Sequence, residues 1–106
     1  MFSLDRRPGV ITKDTIVRVV QEEKAFRFNS EMWRIRDLRS ERKTAIWQLP
    51  RSTQPEESHY IREIDEQIAA LSRDTADLFY ELQGTPFASR TQTVLRRYRA
   101  STAPLI

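Results

Sequence analysis

The sequence predicts an all-α protein built on an antiparallel, coiled-coil-like helical hairpin, with an additional N-terminal helix and a short basic C-terminal helix or tail. Three observations predict it. Along two long stretches, apolar residues recur in alternating steps of three and four, which is the period of a helix seam. Only 2 glycines interrupt the chain, too few for a turn-rich β-sandwich or a phosphate-cradling loop. The segment joining the two seams, residues 50–55, is too short for a parallel return, so the second helix must fold back on the first.

At 106 residues the chain is expected to form a single domain over positions 1–106, with a modest core that must be efficient or shared with a partner. Pro8-Gly9, Pro50, Pro55, Gly84, Pro86 and Pro104 divide it into four pieces. The first, residues 12–28, offers Thr12 as an N-cap, Asp14 in the first turn, and Ile16, Val19 and Val20 on one face. The β-branched run Ile16-Val17-Arg18-Val19-Val20 would also suit a strand, but no second convincing strand exists to pair with it.

The second piece, residues 30–49, begins at Asn29 or Ser30, either of which can cap a helix. Its seam runs through Phe28, Glu31, Ile35, Leu38, Arg42, Ala45 and Leu49, with two polar members. The third piece, residues 55–83, starts with Pro55 at a first helical position and with Glu56 and Glu57 at the positive end of the dipole. Its seam is the clearest in the chain: Ile61, Ile64, Ile68, Leu71, Thr75, Leu78 and Leu82. Gly84 and Pro86 stop it.

Matching the polar interruptions aligns the two arms. Ala45 then faces Ile61, Arg42 faces Ile64, Leu38 faces Ile68, Ile35 faces Leu71, Glu31 faces Thr75 and Phe28 faces Leu78. The alignment brings Arg39 toward Asp65 and Arg34 toward Asp74, and it expects Arg42 to extend outward to Asp65 or Glu66. Segment charges agree, since residues 30–49 carry an excess of cations and residues 56–83 an excess of acids.

The last piece, residues 85–106, contains Arg90, Arg96, Arg97 and Arg99 and no acid. Val94, Leu95 and Tyr98 suit one face of a short helix, with an irregular tail from Ala100 onward.

Chemistry-bearing motifs are absent. His59 is the single histidine and lacks the second ligand or orienting carboxylate that zinc binding or catalysis demands. Glu63, Glu66, Asp74, Asp77 and Glu81 have no Glu-x-x-His companion and read as a solvated acidic face. Without cysteine there are no disulfides, thiolate ligands or thiol nucleophiles. No nucleophile elbow, Walker loop or dinucleotide fingerprint occurs, so no enzyme, metal or cofactor is expected.

Trp33 and Trp47, two heptads apart, both fall on the side of the second piece that faces away from the third. Two readings fit: the first helix crosses over and buries one or both, or this face binds a partner, tryptophan being enriched at hot spots. Met32, Ile46 and Phe79 widen the apolar stripe and ask for a third layer. Arg96, Arg97 and Arg99 with Tyr98 among them match, in type, a cationic and aromatic contact to phosphate and base.

The expected partner-binding residues are therefore Trp33, Trp47, Arg96, Arg97, Tyr98 and Arg99. The leading expectation is a non-enzymatic adaptor or complex subunit that binds a protein partner or forms a homo-oligomer, and nucleic-acid or ribosome-associated binding is the alternative. A net charge of +3 is too small to decide between them. No apolar run nears the roughly 20 residues of a membrane span, and the N-terminal stretch lacks a secretory signal. Asp5, Asp14, Glu22 and Glu23 argue against a mitochondrial presequence. A cytoplasmic protein is expected.

Overall fold

A computed structural model describes residues 12–102. The reading of residues 1–11, and of the tail beyond Thr102, lies outside the described residues. Three helices form: α1 (Lys13–Trp47), α2 (His59–Leu82) and α3 (Ala88–Thr102), with a 3₁₀ turn at Pro55–Glu57 before α2. They make an all-α helical hairpin of α1 and α2 with α3 packed against it. The radius of gyration is 20.0 Å, whereas a compact domain of this length would have about 13 Å. The long hairpin accounts for the difference.

The expected separation into helices at residues 12–28 and 30–49 is not observed: α1 is one helix of 35 residues. No glycine or proline lies between Thr12 and Trp47, and Asn29, instead of capping, accepts a hydrogen bond along the helix from Trp33 Nε1 at 3.1 Å. An unbroken helix gains one backbone bond per residue, whereas a break would need a second nucleation. Thr12 does cap α1, its hydroxyl accepting from Thr15 N–H at 3.1 Å.

Pro55 also differs from expectation. It opens the 3₁₀ turn, and α2 starts four residues later, capped by Ser58, whose hydroxyl accepts from Ile61 N–H. At the other end of α2, Gly84 sits at φ 77°, left-handed backbone that strains any residue with a Cβ. Thr85 tightens this corner by donating to Leu82 C=O at 2.6 Å and accepting from Phe87 N–H.

The predicted seams are the buried faces. Phe28, Ile35, Leu38 and Ala45 of α1 and Ile61, Ile64, Leu78 and Leu82 of α2 are buried, and Ile68 and Leu71 are half-buried. Thr75 is buried too, but its hydroxyl donates to Ser72 C=O within its own helix. That satisfies it without a cross-hairpin partner.

The charged pairs flanking the seam differ in detail from expectation. Asp65 pairs with Arg42, not Arg39, and Asp74 pairs with Arg27, not Arg34. Arg42 thus leaves the seam for Asp65, the outward reach foreseen for a long stem. Tyr60 donates to Glu41 at 2.7 Å, and Lys24 closes the other end on Glu81. Ala45 and Ile61 are both buried in the hairpin, and if they face each other as the expected alignment has it, cysteines at these two positions should crosslink within one chain under mild oxidation. Cysteines at Leu49 and Leu78 should not, and the reverse result would overturn this alignment.

The third layer comes from the C-terminal segment and not from the N-terminal one. Being continuous with the hairpin arm, residues 13–24 cannot cross over to cover the tryptophans. Instead Val94, Leu95 and Tyr98 of α3 pack on the cluster of Phe28, Met32, Ile35 and Leu78, beside Phe79. Phe28 and Phe79 lie 6.1 Å apart, centroid to centroid, an ordinary aromatic contact. The helix of the last piece continues through Thr102, past the expected fraying at Ala100.

Candidate partner-binding surfaces

The expected binding residues occupy four places. Trp33 is half-buried on α1. Its indole N–H is held by Asn29, and the guanidinium of Arg36 lies 5.6 Å from its ring centroid, within cation–π range. Asn29 also lines a cavity of about 320 Å³ between α1 and α3, together with Phe26, Ser89, Arg90, Thr93 and Arg97. Arg90 and Arg97 lie seven residues apart, which puts them one above the other on a single side of α3. Trp33 and Arg97 are therefore brought to the same region through Asn29. Phe26, at 67% exposure, supplies a second aromatic there.

The other four do not join this surface. Trp47 ends α1 and is 83% exposed, about 21 Å along the helix axis from Trp33 at 1.5 Å per residue. Arg96 and Arg99 are exposed, each about a third of a turn or more away from Arg97 around α3. Tyr98 turns inward. It packs on the core and lines a second, largely apolar cavity of about 360 Å³ with Phe28, Met32, Phe79, Tyr80 and Leu95. Tyr98 thus serves packing here, because a helix that buries Thr91 and half-buries Leu95 also turns position 98 toward the core.

Sequence reasoning did not single out Phe26 and Asn29 as part of a binding surface. An isolated phenylalanine reads as core until the helix phase is known, and the assumed break at residue 29 put that phase out of reach.

One titratable cluster lies inside the hairpin. The Glu31 side chain is only 17% exposed and sits against Asp74, with Arg27 3.5 Å from Glu31 and 3.3 Å from Asp74. Glu31 Oε1 is buried with no hydrogen-bond partner. Burial, reinforced by the neighbouring Asp74, pushes its carboxyl up to about 7, against a partial opposing pull from Arg27. Glu31 therefore also meets Asp74, a neighbour the expected alignment did not name.

His59 is largely exposed in the first turn of α2, with Nε2 3.1 Å from Glu63 one turn on. Among the described residues no three histidine, aspartate or glutamate side chains gather as a metal site. No helix among them is long and apolar enough to cross a membrane. The chain matches no protein-family model, and neither a curated protein nor a solved structure shows significant similarity to it.

Proposed function

We propose that this chain is a non-enzymatic interaction protein, a subunit or adaptor in which the hairpin acts as a rigid support and an acidic segment of a protein partner docks where α3 meets α1. The observation that carries this reading is the meeting of Phe26 and Trp33 with Arg36, Arg90 and Arg97 around Asn29. Aromatic rings provide large rigid contact area, and arginines pair with carboxylates in a fixed fork geometry. Helix α3 adds four arginines and no acid, which favours an acidic partner through on-rate and orientation.

The test combines capture from native cells, with and without nuclease, with the variants Trp33→Ala and Arg90→Glu/Arg97→Glu. A defined protein partner should survive nuclease and bind each variant at least about tenfold more weakly, with helicity unchanged because these residues lie outside the core. Recovery that collapses with nuclease and falls steeply with salt would install the second reading instead. In that reading the arginines of α3 contact the phosphates of a nucleic acid.

A further inference from the structure

The first three turns of α1 extend beyond the rest of the fold. The last cross-hairpin ion pair is Lys24 with Glu81, Leu82 ends α2, and Ala25 is the first buried residue of α1. Ser89 and Arg90, at the start of α3, lie beside Ala25 and Phe26, so α3 starts level with the end of α2. Among the described residues nothing packs on positions 12–20, all of which are exposed. Yet Ile16, Val17, Val19 and Val20 are 53%, 50%, 59% and 43% exposed. Four branched aliphatics within five residues form a contiguous patch, and such patches mark interaction sites.

The chemistry of the patch specifies its occupant. Ile16 and Val20 lie on one line along the helix, flanked on either side by Val17 and Val19. That line continues to Lys13 at one end and to Glu23 at the other, unlike charges enclosing an apolar centre. A helix of the same sequence laid antiparallel places Ile16 against Val20, and Lys13 against Glu23, at both ends at once. A parallel copy would instead oppose lysine to lysine and glutamate to glutamate. We propose that two copies of this chain associate antiparallel through these N-terminal turns of α1, in an isologous contact about a two-fold axis near Arg18, which points outward.

The overhang of about 17 Å is short compared with a helix pair that buries the roughly 800 Å² per partner of a stable complex. The dimer should therefore be weak, with a dissociation constant in the micromolar range or above. The contact also supports an otherwise solvated β-branched segment, a composition poorly suited to standing alone as a helix. It is separate from the arginine and tryptophan surface, so either can fail without the other.

Sedimentation velocity across a concentration series reaching the millimolar range tests the proposal, with hydrogen exchange of residues 13–23 as a second readout. The expected result is a monomer–dimer equilibrium, with exchange protection of this segment rising with concentration. Ile16→Asp/Val20→Asp should abolish dimerisation and leave helicity and cooperative unfolding of the bundle intact. Lys13→Glu and Glu23→Lys should each weaken the dimer severalfold, and the double exchange should restore it. A monomer at every concentration would overturn the proposal. So would a dimer indifferent to Ile16→Asp/Val20→Asp, or a double exchange that fails to recover binding.

Discussion

Phe28→Ala should lower the free energy of unfolding by about 3–5 kcal/mol, the usual cost of emptying a phenylalanine site in a core. Phe28 is 2% exposed and belongs to a cluster with Met32, Ile35 and Leu78 to which all three helices contribute, Phe79, Val94 and Leu95 packing against it. A domain of this length has about 5–15 kcal/mol in total, so the variant should stand near the edge of folding. Its internal control is two residues away. Phe26 is 67% exposed, and Phe26→Ala should change stability by no more than about 0.5 kcal/mol. Urea titrations followed by helicity measure both. Equal losses at the two positions, or a loss below about 1 kcal/mol at Phe28, would mean that the core lies elsewhere.

The second large effect is a dependence on pH that runs opposite to ordinary acid denaturation. The carboxyl of Glu31 is raised from 4.5 to about 7 in the folded protein. A group with a higher pKa folded than unfolded binds its proton more tightly in the native state. Its stabilising contribution is complete below about pH 4.5 and is lost as the pH rises through about 7. Each pH unit of that window is worth up to about 1.4 kcal/mol. The total is on the order of 2 kcal/mol, less than the full span because part of the side chain still reaches water.

Glu31→Gln removes the ionisation and lets an amide N–H donate toward Asp74. The variant should be more stable than the parent at pH 8 by on the order of 2 kcal/mol, and close to it at pH 5. Denaturation midpoints of the two proteins at both pH values decide the matter. A parent-minus-variant difference that does not change with pH would show that Glu31 stays ionised throughout, paired with Arg27.

Much of the hairpin was legible because its determinants are local and periodic. The steps of three and four through Phe28, Ile35, Leu38 and Ala45, and through Ile61, Ile64, Leu78 and Leu82, name the buried faces directly. A helix turns by a constant angle per residue, so spacing alone tells which side chains share a face. Thr12 as a cap, Gly84 as a stop and the escape of Arg42 to Asp65 follow from equally local chemistry. The sequence by itself therefore determined an all-α hairpin, its approximate alignment and the identity of its seams.

Tertiary structure decided how those parts meet. Asn29 and Ser30 have the chemistry of caps, yet they lie inside α1, because cooperative continuation outweighs an available cap. The wide apolar stripe of Met32 and Phe79 called for a third helix, but either end of the chain could have supplied it, and only docking selects α3. The same docking turns Tyr98 inward and brings Arg97 beside Asn29, and the rotation of α1 against α2 sets Asp74 against Glu31. These outcomes depend on the relative rotation and offset of helices far apart in sequence. Many side chains set those quantities together, and no spacing along a single helix encodes them.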